Sequence, residues 1–353
     1  MKWLKHLKRI FIVLLVIVGF LAALEFSPWA LSYSKTNAWI NETSKPWIIP
    51  HGGAKALYPE NTIYAFNQTA MYDAFEVDLT LTKDNVLISH HDLDLRHDLL
   101  LDEVNDGLVI RKLTYEDIVD LIVDNDYPYV RQFVDVDGNT PYATTTDTAI
   151  LNQMLPMKLE DLFQAYPDRR YILEIKDVRT DDEDTFNLAA NQLLSLIEQY
   201  DMADKVMVSS FSDEVIEHFL DISEHKIHAS TATNETLKMV LLSAFNLDFF
   251  YKPTYAALAI PIDSGLSDSQ GDLIGRLPSL ISSRIAHQVD GQWRTNLAQA
   301  SLVKDAHRHN MSVIFWTVNS EEDMLKLIEL GVDGIITDRP DLLFQLYETL
   351  GIA

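Results

Sequence analysis

Glu76 and Asp78 stand two residues apart in the apolar run Ala74-Phe75-Glu76-Val77-Asp78-Leu79, with His51 upstream and His91 downstream. In a strand, side chains alternate, so the two carboxylates share one face while Val77 and Leu79 share the other. Held side by side in an apolar setting, they would repel each other and take up protons unless a cation lay between them. Oxygen-only donors favour one hard divalent cation, Mg²⁺ or Ca²⁺. The two imidazoles add groups that exchange a proton near neutral pH. A second apolar run, Tyr171-Ile172-Leu173-Glu174-Ile175-Lys176, presents Glu174 and Lys176 on one face by the same alternation. Carboxylates from two strands, an ammonium and two histidines at strand ends suit metal-assisted phosphoryl chemistry: cation and ammonium take up phosphate charge while imidazoles move protons.

Residues so far apart in sequence need a scaffold that gathers strand ends. Eight short apolar runs read as strands of a parallel barrel: Trp47 to Pro50, Ala74 to Thr80, Val86 to His90, Tyr171 to Lys176, Val206 to Ser210, Lys226 to Ser230, Val313 to Thr317 and Gly334 to Thr337. Helical patterns separate most of them, the βα alternation of a (β/α)8 architecture. Asn61 or Thr62 can cap a helix carrying Ile63, Phe66 and Ala70, and Ser320 to Asp323 fits a capping box before a helix that Gly331 would end. His90 and His91 are adjacent, so only one can point along the barrel axis. Residues 92–170 and 249–290 exceed ordinary loop length, and βα loops form the mouth of such barrels, so these insertions are expected to shape what enters.

The amino terminus reads differently. Lys2, Lys5, Lys8 and Arg9 precede an apolar run from Ile10 to Leu24 interrupted only by Gly19, which predicts a single membrane-spanning anchor over residues 1–26 with the basic flank inside the cell. Phe26 and Trp29 extend that reading toward the outer interface, and a cleaved signal peptide is the competing one. Residues 27–46 would be a tether, and 47–353 the catalytic barrel at the extracytoplasmic face of the cell membrane. The chain has no cysteine, hence no disulfide or thiolate metal site, and a net charge of −25 argues against a nucleic-acid partner.

The ordered series His51-Gly52-Gly53, Pro59-Glu60-Asn61-Thr62, Glu76-Val77-Asp78, His91-Asp92, Leu173-Glu174-Ile175-Lys176, Trp316-Thr317-Val318-Asn319 and Gly331 to Pro340 resembles the glycerophosphodiester phosphodiesterase family, from roughly Trp47 to Leu346. The resemblance implies a TIM barrel, Glu76, Asp78 and Glu174 as ligands of one divalent cation, and His51 and His91 as the acid/base pair. Lys176 and Trp316 would then contact a small glycerophosphodiester or lysolipid substrate. Gly52 departs from the family's usual arginine after the first histidine, which leaves phosphate binding to the cation and Lys176, with Lys55 or Arg96 as substitutes. Lysophospholipase D activity, cleavage of envelope glycerol-phosphate polymers and a catalytically inactive binding protein are the alternatives. Asp338 and Arg339 are expected to form a structural ion pair that closes the barrel.

Overall fold

The computed structural model describes residues 2–25, 30–43, 45–103, 106–177, 185–276 and 279–352. Eight parallel strands close on themselves: β1 (Trp47–Pro50), β2 (Ala74–Leu81), β3 (Arg170–Ile175), β4 (Val206–Ser209), β5 (His228–Ala229), β6 (Ala257–Pro261), β7 (Ser312–Trp316) and β8 (Gly334–Thr337). Hydrogen-bonded neighbours run from β2 through β3, β4 and β5, cross to β6 by a Ser230–Ala257 bridge, and continue through β7 and β8 to β1. The Asp73 amide donates to the Ile48 carbonyl at 3.2 Å and closes the ring between β1 and β2.

Inward positions follow the period of two. Ile49, Ala74, Ile172, Met207, Ala257, Ile314 and Ile336 pack together inside the barrel with Trp39. Two or four residues further along the same strands, the same face carries His51, Glu76, Asp78, Glu174, Ser209, Trp316 and Asp338, so each inward row turns from apolar to polar toward the carboxyl ends. Outward residues such as Phe75, Val77, Leu79, Leu173 and Phe315 join the larger core under the surrounding helices.

Six of the eight expected strands fall within a residue or so of their observed bounds, and the sixth, Lys226 to Ser230, shrinks to His228–Ala229. Val86 to His90 is a correction. Its strand, Leu87–Ser89, runs antiparallel to β2 as the return arm of a hairpin, because the short turn from Thr82 to Val86 is far too brief for the crossover that a parallel strand requires. The missing barrel strand is β6, inside the stretch read as the second insertion. Lys252-Pro253 precedes it and Pro261 ends it, residues that signal a loop in sequence.

The segment expected as a tether is docked. Trp39 is 1% exposed, plugs the amino-terminal end of the barrel and meets Trp47 edge-on at 6.0 Å. The Asn37 amide donates to the Ala256 carbonyl at 2.7 Å, and the Asn41 backbone donates to Asp333 Oδ1 at 2.7 Å. The first insertion folds around its own core, in which Ile118, Ile122, Phe133, Tyr142 and Leu151 pack on Ile88.

A helix does form over Lys2–Glu25, with Ile10 to Val18 and Phe20 exposed. The expected membrane span is not met, however: among the described residues no helix is long and apolar enough to cross a membrane. The run from Ile10 to Leu24 covers only about 22 Å at helical rise, against roughly 30 Å of hydrocarbon. Phe26 and Trp29 lie outside the described residues.

The expected caps are present. Thr62, rather than Asn61, caps the helix Ile63–Thr69 by accepting from the Ala65 amide, Ser320 accepts from the Asp323 amide, and Gly331 ends the helix Glu321–Leu330 in the left-handed region. Before the first of these helices, β1 enters a tight turn, His51–Gly53, in which Gly52 and Gly53 have φ of 51° and 82°. A Cβ on Gly53 would lie 2.7 Å from the Ala65 Cβ, so this turn is packed directly on its helix. Gly53→Ala should therefore destabilise the protein by about 1–3 kcal/mol in denaturant unfolding, through both the positive φ and the overlap.

Candidate active site

Register places the charged groups before any side-chain contact is considered. Asp78 on β2 is the direct partner of Glu174 on β3, and Glu76 is the partner of Ile172, so the three carboxylates occupy adjoining inward positions at the barrel mouth. Glu76 is 3% exposed and Asp78 is fully buried. Lys176, just past the end of β3, places its Nζ 2.9 Å from Asp78 Oδ1 and 2.6 Å from Glu174 Oε1. Asn61 donates through Nδ2 to Asp78 Oδ2 at 2.8 Å and accepts from the Asp78 amide at 3.2 Å, a two-point clamp. The Gly52 amide donates to Glu76 Oε2 at 2.8 Å. A residue that departs from the expected arginine thus contributes its backbone to a site carboxylate.

His51 closes the group. Its Nδ1 lies 2.7 Å from Asp338 Oδ1, and Asp338 Oδ2 accepts from Asn319 Nδ2 at 2.6 Å. The expected Asp338–Arg339 ion pair is corrected here: Arg339 turns away and pairs with Asp341 at 2.8–3.0 Å. The reason is the strand period, because Asp338 continues the inward row of Ile336 whereas Arg339 does not. Sequence reading missed Asp338, Asn319 and Asn61 as site residues. The signal was available for the first, since its parity along β8 matches that of Glu76 along β2.

His91 is half exposed, with Nδ1 2.8 Å from Asp92 Oδ1. His90 is buried between Asp98 Oδ2 at 2.8 Å and the Asp92 carbonyl at 2.7 Å. Of the two, His91 shares a cavity of about 900 Å³ with His51, Glu76, Glu174, Lys176 and Trp316, while both border a neighbouring one of about 260 Å³. Trp316 meets Phe211 edge-on at 5.3 Å on the cavity wall. Of the two basic residues proposed to replace the arginine, Lys55 pairs with Glu60 at 3.0 Å and borders the smaller cavity, and Arg96 borders neither.

Electrostatics follow from this crowding. Burial, then the Asp78 charge, pushes the Glu76 carboxyl up to about 8. Burial would raise Asp78 as well, but the Lys176 ammonium with its hydrogen bond and the charges of His51 and His91 together outweigh it and hold that carboxyl below its ordinary value. At Glu174 burial prevails over Lys176, and the pKa is raised. Burial would lower His51, yet the Asp338 hydrogen bond and the charges of Glu76 and Asp78 lift it to about 9.

Among the described residues, His51, Glu76 and Asp78 form a group whose ligand atoms lie within 4.8 Å of one another. Glu174, expected as the third carboxylate ligand, lies outside that group and against Lys176. Buried carboxylate oxygens at this spacing fit a hard divalent cation, and the Gly52 and Asn61 donors orient them from behind. Fold and site together define a (β/α)8 protein with a buried carboxylate and histidine cluster suited to a cation.

The comparisons narrow that class. Residues 51–342 match the model of the glycerophosphoryl diester phosphodiesterase family. The chain belongs to this family and hydrolyses glycerophosphodiesters. It is 24% identical over 305 residues to a glycerophosphodiester phosphodiesterase of Caldanaerobacter subterraneus subsp. tengcongensis, covering 86% of this chain and 98% of the relative. It is 23% identical to a lysophospholipase D of Homo sapiens, covering 86% of this chain and 85% of that one. The glycerophosphoryl diester phosphodiesterase domain of a Mycobacterium tuberculosis protein shares the fold with a TM-score of 0.62 at 13% identity, over 86% of this chain and 99% of that domain.

The raised pKa values carry a pH dependence. His51 and Glu76 both hold protons in the folded chain that the unfolded chain has already released above its ordinary imidazole and carboxylate values. Their contribution to stability is therefore full at low pH and is lost as pH rises through about 8 for Glu76 and about 9 for His51. In chelator, thermal unfolding should show a lower Tm at pH 9 than at pH 6. Added Mg²⁺ or Ca²⁺ should raise the Tm most at the alkaline end, where the carboxylates are free of protons.

Proposed function

We propose that glycerophosphodiester hydrolysis here uses His51 and His91 as the acid/base pair, Glu76, Asp78 and Glu174 as holders of one Mg²⁺ or Ca²⁺, and Lys176 and Trp316 as substrate contacts. The observation that carries this reading is the single cavity bordered by His51, His91, Glu76, Glu174, Lys176 and Trp316, with Asp78 beneath it. Inclusion of Glu174 rests on its register with Asp78, which puts both carboxylates on one face of adjoining strands. When bound, the cation would take up charge on the phosphoryl oxygens and orient the attacking hydroxyl.

The two histidines are prepared alike. Each has Nδ1 against a carboxylate, Asp338 for His51 and Asp92 for His91, which fixes the ring and leaves Nε2 to exchange a proton with substrate. One imidazole accepts the proton of the glycerol hydroxyl next to the phosphoester as its oxygen bonds to phosphorus. The other donates a proton to the alcohol oxygen as the bond from phosphorus to that oxygen breaks. Water then opens the cyclic phosphate with the roles exchanged. With no arginine after His51, Lys176 is the cationic side chain nearest the carboxylates and carries the phosphate contact that a guanidinium would otherwise make.

We extend the proposal to location: the helix Lys2–Glu25, whose exposed apolar stretch follows Lys8 and Arg9, attaches the enzyme to the cell membrane, with the barrel on the extracytoplasmic side. Sedimentation with membranes and protease accessibility in intact cells check this part.

The catalytic part is checked by steady-state kinetics on glycerophosphocholine. His51→Ala and His91→Ala should each lower kcat by about a hundredfold or more, and His90→Ala by far less. Glu76→Gln, Asp78→Asn and Glu174→Gln should each weaken cation binding in calorimetry, and full affinity in all three would sink the ligand assignment. Lys176→Met should impair catalysis severely. Gly52→Arg should not repair it, because its Cβ would sit 3.3 Å from the Glu60 Cβ on a backbone with φ of +51°. Asp338→Asn should lower kcat by about tenfold or more and shift the acidic limb of the pH profile, since it removes the charge that holds His51.

A further inference from the structure

The cavity changes character away from the carboxylates. Its charged lining, His51, Glu76, His91, Glu174 and Lys176, is confined to the strand ends. The other arm is walled by the helix Thr233–Ala244 and by residues 262–297, through Leu237, Leu241, Phe245, Leu266, Leu273 and Leu297. Among the described residues lining that arm, no side chain is charged, and the polar groups are serine and threonine hydroxyls. Leu237 and Leu273 remain 55% and 66% exposed, so this apolar surface meets water when nothing covers it. Such surface is costly to present and marks a site for an apolar ligand.

A glycerophosphoryl group with a small alcohol has no use for the arm. A polymer of glycerol phosphate would have to place further phosphates there without a cation to meet them, at a steep desolvation cost. An alkyl chain fits: a cavity of about 900 Å³ has room for one beyond the phosphodiester. The attack described above needs a free hydroxyl beside the phosphoester, so the glycerol can carry one acyl chain but not two.

We propose that this apolar arm is an acyl-chain site and that the preferred substrate is a single-chain glycerophosphodiester lipid, with the phosphodiester at Lys176 and the chain along Leu237, Leu241 and Leu273. This inference rests on the phosphodiesterase reading and specifies its substrate class. The reaction is the same one, in which the head alcohol leaves and the acylated glycerol phosphate remains. The segment 262–297, including the paired strands Ala286–Val289 and Gln292–Thr295, then serves chain selection rather than phosphate binding.

The test compares glycerophosphocholine with hexanoyl, octanoyl and decanoyl lysophosphatidylcholine, all below their micellar concentrations and with either cation. Burial of each methylene should raise kcat/KM by about two- to fourfold. Leu237→Asp and Leu273→Asp, at exposed positions where folding should be retained, should cut kcat/KM on the decanoyl substrate by about tenfold or more while leaving glycerophosphocholine within about twofold. A second readout needs no turnover: dodecylphosphocholine titrated in chelator against tryptophan fluorescence should bind, with Kd weakened about tenfold in both variants. Efficiency independent of chain length, or unchanged decanoyl kinetics in the variants, overturns the acyl site. If no substrate is cleaved with either cation, the catalytic assignment falls, and the acyl site stands or falls on dodecylphosphocholine binding alone.

Discussion

Everything at the mouth of this barrel answers to one constraint, the burial of Glu76 and Asp78 side by side. Two carboxylates removed from water cannot both stay ionised without compensation. The chain supplies it from four directions: Lys176 from β3, the Asn61 clamp from the loop after β1, the Gly52 amide from the turn and the His51 imidazole held by Asp338. Compensation remains incomplete at Glu76, whose pKa rises to about 8. A site that needs one more positive charge is a site prepared for a cation. The same incompleteness makes the cluster a poor stabiliser and a good binding site, the usual division between a paired structural charge and a functional one.

This constraint explains why Gly52 is tolerable where an arginine is usual. The turn needs a left-handed backbone at residues 52 and 53 to aim the Gly52 amide at Glu76, and Asn61 closes the same turn by donating its own amide to the Gly52 carbonyl at 2.7 Å. Glycine adopts that conformation at little cost, and backbone rather than side chain then serves the cluster. What is given up is a guanidinium at the phosphate. Lys176 cannot be a full replacement, because it already bridges Asp78 and Glu174. A cation among the carboxylates would compete for those oxygens and release the ammonium toward substrate.

Much of this was legible in the sequence, because alternation along a strand is a strong rule. Glu76, Asp78, Glu174 and Lys176 were grouped by parity before any contact was known, and register then joined Asp78 to Glu174. Contacts set by packing were harder to see. Leu87–Ser89 has the composition of a barrel strand, and only chain length forbids a parallel crossing. Strand β6 is rich in alanine and ends on a proline, and it is a strand because β7 offers its edge across five paired residues. Trp39 gave no period at all, since a single aromatic plugging the barrel floor needs no repeat. Asp338 adjoins Arg339 in sequence, but parity along β8 turns it inward to His51 while Arg339 pairs with Asp341.

The two insertions divide the labour at the mouth. The first carries its own core of aromatic and branched side chains and brings His91 to the cavity from one side, where Asp92 and the buried His90–Asp98 pair brace the turn. The second spends its leucines on the cavity wall instead of on a core of its own, which leaves side chains such as Leu273 in contact with solvent. A fold selected only for stability would have buried them. One insertion therefore braces the turn at His91 and the other walls the apolar arm, so that the charged lining of the cavity comes from the strand ends and that turn, and its leucines from the segments around them.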